Sequence, residues 1–167
     1  MIKPLPRHEL KKLYNSFPRK RIAAGALFLN RKGELLLVKP CYRPFWSIPG
    51  GVAEKDESPF EACQRECKEE INIRPKKLRL LCLDYKNTFD IKPESMQLIF
   101  YGGRLSIKQI SRIKADRREI TGHKFVSLNR VYKTLGGKHS DLAKRIKYCF
   151  LAIKNKKVYY LENGNLK

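Results

Sequence analysis

Residues 51–73 read GVAEKDESPFEACQRECKEEINI. Two patterns overlap in this stretch. The first is a helix start. Ser58 can cap, Pro59 suits the first helical position, and Glu61 stands where the reciprocal half of a capping box belongs. From there Phe60, Cys63, Cys67 and Ile71 recur at steps of three, four and four, which is one helical face. The spacing predicts a helix over Ser58–Ile71. The second pattern is charge. Glu54, Asp56, Glu57, Glu61, Glu66, Glu69 and Glu70 face only three bases in the same window, Lys55, Arg65 and Lys68. At about 100° per residue, Glu66, Glu69 and Glu70 fall on an arc beside the apolar face. Glu66 and Glu70 are four apart, a like-charge pair that weakens a bare helix by roughly 0.2–0.5 kcal/mol. A divalent cation turns that repulsion into ligation. Magnesium takes oxygen donors and keeps waters beside a few carboxylates and substrate phosphates. Arg65, four residues from both Glu61 and Glu69, is placed to pair with each. Cys63 and Cys67 read as small core residues, since zinc needs more Cys or His partners than this segment offers.

Around this acidic island, with a local net charge of −4, the chain carries +21 in all and a pI near 10.0. Such a balance draws polyanions and speaks to association rather than to a reaction. An acidic patch in a basic field suits a cation site that collects an anionic substrate. The 167 residues are of single-domain size. With 42% hydrophobic and 32% charged residues, the chain has a core and is not disordered. Its longest apolar run, Ala23–Leu29, is too short to span a bilayer. Residues 1–20 are basic, broken by prolines and without the apolar middle of a signal peptide. The five cysteines are an odd number at spacings that form no disulfide framework. The expectation is a reduced, cytoplasmic protein, monomer or homodimer.

Outward from the helix, Arg21–Leu29 and Glu34–Lys39 read as strands joined by a turn at Asn30–Gly33. Lys77–Tyr85, Met96–Gly102 and Lys124–Leu128 read as further strands, and Ser140–Ile153 as a second helix buried through Leu142, Ile146, Cys149 or Phe150, and Ile153. A short helix over about Arg7–Ser16 stands outside this core, and Val158–Glu162 is a final strand or a tail.

Gly51, five residues, Glu57, seven residues, then Arg65-Glu66 and Glu69-Glu70 resembles the Nudix box, and Trp46–Gly51 is similar to the segment that commonly precedes it. Two positions depart from the pattern. Asn72 replaces glycine at the helix exit, which asparagine tolerates because it adopts the left-handed conformation. Cys67 replaces a larger aliphatic on the buried face. The resemblance implies an α/β/α sandwich with a mixed central sheet over residues 21–167, behind a basic extension of residues 1–20. It implies hydrolysis of a nucleoside diphosphate linked to another group, dependent on magnesium or manganese. By the same resemblance Glu66, Glu69, Glu70 and the Gly50 carbonyl carry metal, while Glu57 and Arg65 brace loop and helix as an ion pair. Glu119 is the candidate general base, with Asp116 second and Glu66 a further alternative.

For the substrate, Lys39, Arg43, Arg117 and Arg118 sit in loops or strand ends that can reach phosphates. Trp46, at the site's rim, and Tyr42, Phe45, Tyr85 and Phe89 can stack on a base. A small nucleotide is the first substrate class. RNA-end processing or nucleic-acid binding, using the basic surface, is the alternative. A regulator that has lost the reaction would show a broken glutamate trio, and all three are present. Some ADP-ribose branches carry a proline at a set distance after the box; the nearest here, Pro93, is too distant.

Overall fold

The computed structural model describes residues 4–114 and 118–167. Its elements in chain order are α1 (Arg7–Ser16), β1 (Arg21–Leu29), β2 (Leu35–Pro40), β3 (Gly50–Val52), α2 (Pro59–Ile71), β4 (Arg79–Lys86), β5 (Ser95–Arg104), α3 (Ile107–Ile110), β6 (Ile120–Val126), α4 (Leu128–Thr134), α5 (Asp141–Asn155), β7 (Tyr159–Glu162) and β8 (Asn165–Leu166).

β1 and β2 are apolar along most of their length because both of their faces are covered. Alternate side chains point to opposite sides. Ala24, Ala26, Phe28, Leu36 and Val38 meet Ala62, Cys63, Cys67 and Ile71 of α2. Leu27, Leu29, Leu35 and Leu37 belong to the other layer, with Ile146, Cys149 and Ala152 of α5. The sheet runs β6-β2-β1-β5-β4-β7-β8, and β3 pairs with β1. β1–β5 and β4–β7 are parallel and the other pairs antiparallel, so the sheet is mixed. This is the helix–sheet–helix sandwich that the sequence implies.

α2 starts and stops as its residues dictate. Ser58 Oγ accepts from Glu61 N–H at 3.2 Å, and Glu61 Oε2 accepts from Ser58 N–H at 3.0 Å. At the other end Asn72 is left-handed (φ 56°), and its N–H reaches Lys68 O at 3.0 Å. α5 is capped by Ser140, whose hydroxyl accepts from Ala143 N–H.

Several bounds differ from the sequence reading. The strand expected at Lys124–Leu128 begins at Ile120 and ends at Val126, because β2 pairs with it back to Pro40–Ile120 and that ladder carries Gly122 and His123. Leu128 opens α4 instead. β3, α3 and β8 are too short to show a period. Val158–Glu162 resolves into a strand, Tyr159–Glu162, parallel to β4. No residue of α1 is buried. Among the described residues no helix is long and apolar enough to cross a membrane.

Candidate active site

α2 runs beside the β3 edge, which brings its inner carboxylates against two consecutive glycines. Gly50 adopts φ +142°, and a Cβ there would sit 2.3 Å from Ala24 O of β1. A Cβ on Gly51 would sit 2.3 Å from the Glu66 carboxyl carbon. One glycine lets the backbone close on β1; the other leaves the room that Glu66 occupies.

Glu70 is 5% exposed, and its Oε2 accepts from Gly50 N–H at 2.8 Å. Burial pushes its carboxyl up to about 8, against that hydrogen bond, and the nearby charges of Glu66, Glu119 and Glu69 push the same way as burial. Glu66 is also raised, chiefly by burial, with Arg65 opposing. Arg65 organises the outer side. Its Nε and Nη2 meet the two Glu57 oxygens at 2.9 and 3.0 Å, Nη2 reaches Val52 O at 3.1 Å, and Nη1 contacts Glu66 at 2.9 Å and Glu69 at 3.0 Å. The bidentate pair holds Glu57 below its usual range and Arg65 above its own. The expected Glu57–Arg65 brace is therefore present. The expected Glu61–Arg65 pair is not: Glu61 turns back on Ser58 N–H and Oγ to complete the capping box.

A cleft of about 1030 Å³ opens in front of the glycines. Glu66, Glu70, Glu119, Gly50 and Gly51 all line it, as does Arg43. Glu119 thus reaches the same space as the α2 acids from across the sheet. Glu69 does not line it; the carboxylate is held outside by Arg65. Among the described residues no three His, Cys, Asp or Glu side chains already form a metal cluster. Bringing Glu69 in requires it to leave Arg65 Nη1. The donor set nonetheless fits a divalent ion. It offers hard oxygens, a buried carboxyl whose charged form burial and its acidic neighbours disfavour, and a glycine-sized space beside Glu66.

The expected substrate contacts divide. Arg43, Tyr42 and Phe89 line the cleft. Trp46 does not. It packs against the core layer of α5, with Lys124 Nζ 4.0 Å and Lys39 Nζ 5.9 Å from its ring centroid. Trp46 and Lys39 thus belong to a separate surface shared with Arg130 and Lys133. Arg118 is also off the cleft, and its carbonyl accepts from Cys41 Sγ–H at 2.9 Å. Tyr85 donates to Glu94. Asp116 and Arg117 lie outside the described residues.

Sequence reasoning missed the cleft's other end. Asp84 and Arg145 are buried and bonded to each other, Arg145 Nε to Asp84 Oδ2 at 2.8 Å. The available signals were an acid inside the apolar run Leu80–Tyr85 and an arginine directly before Ile146 on the buried face of α5.

The NUDIX domain family model matches residues 19–148. The chain belongs to the Nudix family. Curated relatives of this Nudix chain include the RNA pyrophosphohydrolases of Haemophilus influenzae (strain PittEE), 40% identical over 57 residues covering 34% of this chain and 29% of the relative, and of Hydrogenovibrio crunogenus, 35% identical over 57 residues covering 34% of each. The match spans about a third of their length. Among solved structures, the MutT protein of Methanosarcina mazei Go1 has a TM-score of 0.64 at 25% identity, covering 85% of this chain and 100% of that one. The NUDIX domain of Shewanella oneidensis NrtR, in complex with ADP ribose, has a TM-score of 0.67 at 20% identity, covering 89% and 99%. The latter likeness is one of fold.

Proposed function

We propose that this Nudix chain is a magnesium-dependent pyrophosphohydrolase that cleaves a nucleoside diphosphate-linked small molecule with water. The convergence of Glu66, Glu70 and Glu119 on one cleft beside Gly50 and Gly51 carries this reading. Glu66, Glu70, the Gly50 carbonyl and a released Glu69 would hold the ion. Magnesium, or manganese in its place, neutralises phosphate charge and lowers the pKa of water when bound. Arg65 fixes the Glu66 carboxylate. Arg43 meets the phosphate chain at the cleft wall. Glu119 takes the proton of the attacking water at its carboxylate, with Glu66 the alternative acceptor. The chain works in the cytoplasm, where five free thiols stay reduced.

A second substrate class, RNA bearing a 5′ polyphosphate, is favoured by the curated relatives, which are RNA pyrophosphohydrolases, and by the net charge of +21. A panel with magnesium decides between them. It comprises nucleoside triphosphates and 5′-triphosphorylated RNA, scored for released phosphate and pyrophosphate, and nucleotide sugars and dinucleoside polyphosphates, scored for the two phosphorylated products of the cut. Metal-dependent release from at least one class is the expected result, and none from any class overturns the proposal. RNA binding, if used, weakens steeply with added salt.

Magnesium should also raise the melting temperature in the presence of nucleotide, since a ligand at a hundred times its Kd adds about 2.7 kcal/mol. An unshifted transition at millimolar metal would count against the carboxylate site.

A further inference from the structure

Arg145 is 8% exposed, yet the protein uses only one edge of its guanidinium. Nε donates to Asp84 Oδ2, and Asp84 Oδ1 accepts from Gly164 N–H at 3.0 Å, so both oxygens of a fully buried carboxylate are engaged. The two Nη groups bond to nothing in the protein among the described residues. Nor are they sealed away, because no buried side-chain nitrogen there lacks a partner. Arg145 lines the cleft, where that uncommitted edge can be met.

Lys86, Lys92 and Lys144 line the same end. Asp141 is the carboxylate among them, paired with Lys86 and 4.0 Å from Lys144. The cleft is thus bipolar, with Glu66, Glu70 and Glu119 at one end and, at the other, four cations against Asp141 and the buried Asp84. A registered row crosses the sheet from Val52 through Ala23 and Gln97 to Asp84. Three strand spacings make that roughly 14 Å. A bare diphosphate does not extend so far, so an anion at Arg145 is separated from the acidic end by another part of the substrate, and a nucleoside is the part the proposed reaction supplies.

We infer that Arg145, with Lys86 and Lys144, forms a second anion subsite for a phosphate that the substrate carries beyond its first nucleoside. The inference rests on the pyrophosphohydrolase reading for the rest of the substrate. A planar guanidinium presents two parallel donors to phosphate oxygens. Clamping by Asp84 fixes that fork before anything binds. A free 3′-phosphate and the phosphodiester to a next nucleotide share the required chemistry.

The test compares a nucleoside 5′-triphosphate, the same compound with a 3′-phosphate, and a 5′-triphosphorylated dinucleotide. Each is assayed with wild type, with K86Q/K144Q, and with R145K, which keeps a charge beside Asp84 and removes the fork. Both variants should lower kcat/KM for the two phosphate-bearing compounds, relative to the plain triphosphate, by tenfold or more, about 1.4 kcal/mol. The loss should lie in KM. A penalty on the dinucleotide alone assigns the subsite to RNA; an equal penalty on both assigns it to any such phosphate. An unchanged ratio in both variants overturns the subsite while leaving the reaction in place. If wild type cleaves none of the three, the reaction reading is decided instead by the nucleotide-sugar and dinucleoside-polyphosphate arms of the panel. The subsite then stands or falls on whether K86Q/K144Q weakens binding of a fluorescent 3′-phosphorylated nucleotide tenfold.

Discussion

Glu70→Gln is expected to abolish turnover and also to stabilise the metal-free protein as pH rises. Removing even a partner of a metal ligand typically costs 10–100-fold, so loss of a ligand should cost at least about 100-fold in kcat/KM. The stability effect follows from linkage. In the folded, metal-free state the Glu70 carboxyl titrates at about 8, against an ordinary value of 4.5. Between those values the native state holds a proton that the unfolded state has released, so stability falls as pH climbs from about 4.5 to about 8. Glutamine never ionises, and its amide oxygen can still accept from Gly50 N–H. Melts in a chelator should therefore show little difference near pH 4.5 and a gap that widens to a few kcal/mol near pH 8, given about 1.4 kcal/mol per pKa unit. Glu69→Gln should lose turnover without that gain. Its carboxylate is exposed and paired with Arg65, and such pairs contribute about 0–1 kcal/mol. Parallel curves for wild type and Glu70→Gln would remove the raised carboxyl, and wild-type-like turnover in both variants would remove the ligand assignment.

The contrast between Glu69 and Glu70 marks how far a sequence can be read here. Helical spacing put three glutamates on one arc, and it showed that Ser58, Pro59, Glu61 and Asn72 would start and stop α2. Those are local rules, and each operates within a few residues. Which carboxylate is drawn inward depends on partners that spacing does not reveal. Glu70 turns in because Gly50 N–H waits there, twenty positions away. Glu69 turns out because Arg65 holds it. The same applies to Trp46. Its place just before the two glycines suggested the rim, but the lysine ammonium over its ring comes from β6. Glu119 was legible only through the family resemblance, since nothing in its own neighbours Arg118 and Ile120 marks it as facing Glu66. Asp84 and Arg145 were missed because their pairing joins a strand to a helix 61 residues away, and neither has a local motif.

Asp84→Ala is expected to be the most damaging substitution for the fold. It would leave the Arg145 guanidinium buried without its counter-charge and Gly164 N–H without its acceptor. Unpairing a buried ion costs about 3–5 kcal/mol. For a chain of this size that corresponds to a fall in melting temperature of about 10 °C. Through these two bonds β4 is tied at one point to α5 and to the β7–β8 turn, so the loss should appear as one cooperative transition moved down. Replacing both partners with apolar residues of similar volume, as in D84L/R145M, should recover the part due to the unpaired guanidinium, because a buried pair is often no better than good packing, while Gly164 N–H stays without its acceptor. The double variant then separates two roles. If the pair is only a strut, restoring stability should restore every activity of the cleft. If Arg145 is kept charged so that its free edge can meet a phosphate, the refolded double variant should cleave a plain nucleoside triphosphate as wild type does and lose the advantage of one bearing the extra phosphate. A double variant no more stable than Asp84→Ala would make the ion pair itself, rather than packing at these positions, what joins β4 to α5.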